Sequence, residues 1–189
     1  MPEMARKKSI IVYQNEPIEK FIVEMSGTIK YFIKENLFEY GAWVAVKKIL
    51  TETVLSLNGS DWFLMLHDSC AFEPDTWENI NELIKIINYT KIEFYSLAYN
   101  GFHNICLVRK HGIFKVADHL EGKQTMTKAE ACDLEGPRLF DVLDPKVPRG
   151  EYGAGTEECG RIRFSTGEKV IVRLKAINLL KFYKAIERP

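Results

Sequence analysis

Apolar positions along the chain switch between a period of two and a period of three to four, and each switch marks an expected element. Ser9-Ile10-Ile11-Val12-Tyr13 is a short β-branched run and reads as a first strand. It ends at Gln14-Asn15-Glu16-Pro17, where the proline cannot donate to a ladder and can open a helix. From Ile18 to Lys34 the residues Phe21, Ile22, Met25, Ile29, Phe32 and Ile33 recur at three and four, the spacing of an amphipathic helix. Gly27 weakens the middle of that helix by roughly 1 kcal/mol relative to alanine. A second helix is expected from Ala42 to about Leu55, with Trp43, Val46, Leu50 and Val54 on one stripe.

Asn58-Gly59-Ser60 then turns the chain into Trp62-Phe63-Leu64-Met65-Leu66. An unbroken apolar run of this kind suits a strand buried on both faces, as in a parallel sheet covered by helices. His67 and Asp68 follow at its carboxyl end, where open α/β sheets place their ligands. The plainer alternative is that Asp68 and Ser69 cap the next turn. Asp75-Thr76-Trp77-Glu78 has the form of a capping box and opens a helix that turns Trp77, Ile80, Leu83, Ile84 and Ile87 inward. Ile92 to Tyr99 reads as a strand, Asn100-Gly101 as a hairpin turn, and Asn104 to Arg109 as the return strand.

Beyond this point the pattern changes. Ile113 to Leu120 is a short helix, and Thr127-Lys128-Ala129-Glu130 is a second capping box leading into Ala131-Cys132-Asp133-Leu134. Residues 144–160 are rich in glycine and proline and read as a mobile loop of functional length. Arg161 to Phe164 and Val170 to Leu174 flank Ser165-Thr166-Gly167-Glu168 as a hairpin, followed by the amphipathic tail Ile177 to Tyr183. The order of elements predicts one α/β domain over residues 1–189, Rossmann-like, with a mostly parallel mixed sheet flanked by helices and a C-terminal β-hairpin. Residues 1–8 are expected as a flexible tail.

Composition narrows the function classes. The 189 residues carry 26 Lys plus Arg against 26 Asp plus Glu, so no global basic field points to nucleic acid. No apolar run approaches the ~20 residues that span a bilayer, and no signal-peptide h-region begins the chain, which points to the cytoplasm. Cys70, Cys106, Cys132 and Cys159 form no CxxC pair, so zinc has no spacing support and reduced thiols are expected. A Cys/His hydrolase would need Cys70 or Cys106 beside one of His67, His103, His111 and His119, and nothing in the sequence sets such a pair in space.

The order Tyr40-Gly41-Ala42, helix, Gly59-Ser60-Asp61, then Trp62 to Asp68 and Asp68-Ser69-Cys70 resembles the plan of glycosyltransferases of the GT-A fold. In that family a nucleotide-binding sheet precedes a buried strand that ends in a short D-x-D motif. The resemblance implies a nucleotide-sugar donor, a glycan or other hydroxyl acceptor, and a Mg²⁺ or Mn²⁺ ion on Asp68 that neutralises charge on the departing diphosphate. His67 and Ser69 would flank that site. The second acid of the motif is Cys70 here, a poor ligand for hard cations.

The family's catalytic carboxylate lies in an E-D-x-D-L-like segment, and Glu130-Ala131-Cys132-Asp133-Leu134 is similar with Ala131 in place of the second acid. The resemblance therefore makes Asp133 and Glu130 candidates for the base of an inverting transfer, beside helix capping for Glu130 and a solvated helix face for Asp133. Tyr13, Gln14 and Asn15 fall where the family's first strand meets base and ribose, and Glu39 or Tyr40 could replace a missing second unit in that task. Two other readings stay open: a non-catalytic nucleotide- or glycan-binding protein on the same scaffold, and an α/β regulatory domain whose tail, with Phe182 and Tyr183, docks a partner.

Overall fold

The computed structural model describes residues 9–52, 62–66, 70–88, 92–97, 105–134, 139–143, 150–151, 157–164, 167–174 and 177–184. The chain is mixed α/β, with small and largely antiparallel sheets, and it gathers into two compact units. The first comprises residues 1–58 and 113–134, the second residues 59–112 and 135–189.

In the first unit, β1 (Ile10–Tyr13) runs parallel to β3 (Ile29–Phe32), and β2 (Lys20–Val23) pairs antiparallel with β3 on its other side. The helix expected over Ile18–Lys34 is thus a β-hairpin. Its apolar residues fit a period of two as well as one of three to four: Ile29, Tyr31 and Ile33 are 5%, 3% and 0% exposed, whereas Met25, on the supposed helical stripe, is fully exposed. The hairpin closes through Glu24 N–H to Thr28 O and Gly27 N–H to Glu24 O, both 2.9 Å, with Gly27 at φ +84°. A left-handed glycine ending a three-residue loop is a hairpin signal, and it outweighs the helical spacing here.

Helix α1 (Gly41–Glu52) covers one face of this sheet, with Ala45 and Ile49 packed on Ile29, Tyr31 and Ile33 beside Ile10 and Val12. Ile11 and Tyr13 alternate to the other face and are exposed, as the strand period requires. The stripe expected on α1 is buried at Trp43, Val46 and Leu50, while Val54 lies outside the described residues. A 3₁₀ turn (Phe38–Tyr40) leads into α1, and α4 (Lys128–Asp133) packs on that turn. Asn36 and Thr125 form a parallel bridge, with Asn36 N–H to Gln124 O at 2.8 Å and Met126 N–H to Asn36 O at 2.9 Å.

In the second unit, β4 (Trp62–Met65) pairs antiparallel with β7 (Cys106–Arg109), and β7 pairs antiparallel with β6 (Phe94–Ser96). β8 (Gly150–Glu151), inside the expected loop 144–160, adds parallel to β6. β4 is therefore an edge strand of an antiparallel set, not the central parallel strand its sequence suggests. Cys106, Leu107 and Val108 of β7 are at most 1% exposed and take the central place, while Trp62, Phe63 and Leu64 stay half-buried. The turns at Asn58-Gly59-Ser60 and Asn100-Gly101 lie outside the described residues.

β9 (Glu157–Phe164) and β10 (Gly167–Leu174) form the expected hairpin, and β9 takes the last residues of the expected loop. The tail is a strand, β11 (Leu179–Lys184), between β10 and β5 (Cys70–Phe72). Helix α2 (Thr76–Asn88) buries Ile80, Leu83 and Ile87 against Leu97, Ile105, Leu107, Leu174, Ile177 and Leu179. The second unit also contains α5 (Leu139–Leu143), whereas α3 (Lys110–His119), which carries the expected short helix, lies in the first unit from Ile113 onward. Among the described residues no helix is long and apolar enough to cross a membrane.

Candidate functional site

At the end of β1 the three residues expected to meet a nucleotide are used differently. The Tyr13 ring stacks on Phe32, with centroids 4.7 Å apart and planes 10° apart, on the sheet face away from α1. Gln14 turns its amide onto backbone: Oε1 accepts the Leu37 N–H at 2.7 Å and Nε2 donates to the Phe38 carbonyl. A Cβ on Gly41 would stand 2.2 Å from Gln14 Oε1, so glycine here leaves the Gln14 amide room to keep its backbone hydrogen bonds. Asn15 has φ +59° and donates its N–H to Glu35 O at 3.1 Å, leaving its side chain exposed. Glu39 is half-buried in the 3₁₀ turn, next to Phe38 at φ +51°. A phenylalanine with positive φ is strained backbone, sustained here beside the Gln14 contact.

Glu130 and Asp133 belong to the same unit, on α4. Thr127 Oγ1 accepts the Glu130 N–H at 3.2 Å while Glu130 Oε2 accepts the Thr127 N–H at 2.7 Å, which completes the expected capping box. Glu130 Oε1 also accepts from Lys123 Nζ at 2.7 Å. Lys123 first, then the N–H and hydroxyl of Thr127, draw the Glu130 carboxyl down to about 2. Such a carboxylate holds a proton poorly and makes a weak general base at neutral pH. Asp133 is exposed near the end of α4, and Ala131 between them is 2% exposed and faces the core. An acid at position 131 would be desolvated there, a physical reason for alanine.

Unit one thus brings together the β1 end, the Glu39 turn and the α4 acids. His67, Asp68 and Ser69 belong to the second unit and lie outside the described residues. Cys70 is the first residue of β5 and stands opposite Lys181 in the β5–β11 ladder. Among the described residues no group of three or more His, Cys, Asp or Glu side chains could hold a metal ion. With a soft thiol at the second motif position, the described side chains supply no hard-cation cage, and no step is derived through an ion.

The helix-period reading of residues 18–34 also hid a polar network. Lys48 Nζ of α1 reaches Glu19 Oε1 at 2.8 Å and Glu35 Oε1 at 2.9 Å, and Tyr31 OH donates to Glu19 Oε1 at 2.6 Å. Burial alone would raise Glu19, but the Lys48 and Tyr31 hydrogen bonds outweigh it and hold the carboxyl below its ordinary value. Burial would likewise lower Lys48, and the two glutamates overcome it and raise the ammonium. Burial, then Glu19, pushes the Tyr31 phenol up, so it stays protonated at neutral pH. Glu19, Lys20, Phe21, Tyr31, Lys48 and Glu52 line an open groove of about 610 Å³. These residues come from three elements with no shared local spacing, so only the hairpin fold unites them.

At the start of β4, Trp62 Nε1 donates to Asn88 Oδ1 at 2.7 Å, and the Arg109 guanidinium lies 4.8 Å from the centre of the Trp62 ring. Cys106 is fully buried, which pushes its thiol well up, and His111 is bonded to Glu93 at 2.9 Å, so neither offers a thiolate–imidazole pair. Comparison with protein-family models, with curated proteins and with solved structures finds no match for this chain.

Proposed function

We propose that the chain is a glycosyltransferase-like protein that moves a sugar from a nucleotide-sugar donor to a hydroxyl acceptor, on a GT-A-type plan. The observation that carries this reading is the succession of helix, strand and acid. α1 starts at the tightly packed Gly41, β4 forms over Trp62–Met65, and His67-Asp68 follow directly on Leu66 past the carboxyl end of that strand.

Asp68 is assigned the donor diphosphate, with His67 and Ser69 beside it as hydrogen-bond donors. A Mg²⁺ or Mn²⁺ ion bound there would rest on Asp68, water and phosphate oxygens, and would neutralise leaving-group charge. Independently of Asp68, the first unit offers Tyr13, Asn15 and Glu39 as a candidate nucleoside contact. The base is Asp133 rather than Glu130, whose two oxygens are committed to Lys123 and Thr127. In such a transfer the acceptor O–H proton passes to a carboxylate base, the acceptor oxygen bonds the anomeric carbon, and the bond to the donor phosphate oxygen breaks with its electron pair. A base of this kind contributes roughly 10²–10⁴-fold. A UDP- or GDP-sugar with Mn²⁺ is expected to raise the melting temperature, and Asp68→Ala to abolish the shift. No shift with any nucleotide sugar, with or without metal, removes the reading.

Two observations favour a second reading, a non-catalytic binder on the same plan: Cys70 is engaged in the β5 ladder and Ala131 is turned to the core. That reading expects binding without turnover. Donor hydrolysis that Asp133→Asn eliminates decides against it.

A further inference from the structure

We propose that β2 is the seam of a two-fold dimer, pairing antiparallel with the β2 strand of a second copy of this chain. β2 is the last strand of the order β1-β3-β2, and all four of its residues are exposed. Phe21, Ile22 and Val23 are 49%, 47% and 60% exposed, a concentration of apolar side chains on a strand whose outer edge pairs with no strand among the described residues. Native edges of this type are normally shielded by charge, proline, a bulge or a covering strand.

The hairpin geometry sets which backbone groups are open. Glu24 N–H bonds Thr28 O, and the register pairs Ile22 with Lys30 and Lys20 with Phe32. Hydrogen-bonded pairs alternate along an antiparallel ladder, so Glu24, Ile22 and Lys20 face β3 with their backbone groups, and Phe21 and Val23 turn theirs outward. A second copy can satisfy those groups only in registers that oppose outward residues. Opposing Phe21 to itself sets Lys20 against Ile22, and opposing Val23 to itself sets Glu24 against Ile22. Opposing Phe21 to Val23 instead sets Lys20 against Glu24 twice and Ile22 against its own copy on the two-fold axis. That register alone is complementary in both charge and apolarity, as an isologous interface must be.

The side chains agree with this arrangement. Phe21 lies on the α1 face with its ring 6.4 Å from Tyr31, and Val23 is opposite the buried Ile29. Pairing two copies sets Phe21 beside Val23 and carries the apolar layer across the seam. On the other face Lys20 lies over Phe32 and Glu24 bonds Lys30 at 2.6 Å, so both charges lean back over β3 and turn outward to pair when the second copy docks.

Sedimentation and light scattering of the full chain are expected to show a concentration-dependent rise from 21.8 kDa to twice that mass. Ile22→Lys, which places two ammonium groups on the axis, is expected to weaken association by at least about tenfold. Ile22→Cys tests register without depending on affinity: under mild oxidation it is expected to cross-link faster than wild type, because that pair meets itself. Val23→Cys, which meets Phe21, is not. A mass of 21.8 kDa at every concentration up to roughly 1 mM overturns the proposal. So does a dimer indifferent to Ile22→Lys, or equal cross-linking through Val23→Cys.

Discussion

The two units use different physics to hold their sheets. In the second, α2 and the strands around it bury Ile80, Leu83, Leu97, Ile105, Leu107, Ile177 and Leu179, and its buried polar group Thr76 is satisfied by Glu73 N–H at 2.8 Å and Asn178 O at 2.6 Å. The first also buries an apolar core, Leu37, Tyr40, Trp43, Ile113, Val116 and Leu134 among it, and adds side-chain ties: Lys48 between Glu19 and Glu35, Gln14 on Leu37 and Phe38, and Thr127 with Glu130. Apolar burial is insensitive to pH, whereas charged ties titrate. Stability of the unit that carries the α4 acids should therefore follow pH.

The largest expected effect breaks the apolar side of that contrast. Leu107→Ala, at a residue 1% exposed in the central strand, should cost about 3 kcal/mol in chemical denaturation, the range of buried leucine truncations. It should leave the pH profile unchanged in shape. Next, Gly41→Ala should cost about 2 kcal/mol, because its Cβ displaces the Gln14 amide and its hydrogen bonds. In a double-mutant cycle with Gln14→Ala the two losses should be strongly non-additive, and simple additivity would show that the clash is not what Gly41 avoids.

Lys48→Met sharpens the polar side. Glu19 is held below its ordinary 4.5, so its contribution is present above that pH and is lost as pH falls through the lower folded value. Lys48 is raised above 10.5 and Tyr31 above 10.0, so theirs is present below those values and is lost as pH rises through the folded ones. The substitution should cost about 1 kcal/mol near neutrality and flatten both limbs of a melting-temperature profile. Thr127→Ala should be the smallest, about 1 kcal/mol or less, as for an N-cap on a six-residue helix. Glu130→Gln should remove an acid limb that runs from about pH 4.5 down to about 2, and any turnover should survive it while disappearing in Asp133→Asn.

Helices with a consistent apolar stripe were legible, α1 from Trp43, Val46 and Leu50 and α2 from Ile80, Leu83 and Ile87, and so was the capped start of α4 from Thr127 and Glu130. Hairpins with turn residues were legible too, as at β9–β10. Residues 18–34 misled because Phe21, Ile29 and Ile33 satisfy both periods, and the hydrogen bonds around Gly27 decide between them. β4 misled because an apolar run reports burial but not the neighbour that supplies it. Of the candidate site, the capping of Glu130 could be read locally, while the use of Gln14 on Leu37 and Phe38 could not.

The sequence by itself therefore determined several elements whose stabilising contacts lie within a few residues: the striped helices α1 and α2, the capped α4, the β9–β10 hairpin and the β-branched first strand. Only the tertiary structure decided strand direction, which strand is central, and which polar side chains meet. Those choices rest on pairings across dozens of residues, as between Gln14 and Leu37 or Lys48 and Glu19, whose energy no local spacing records.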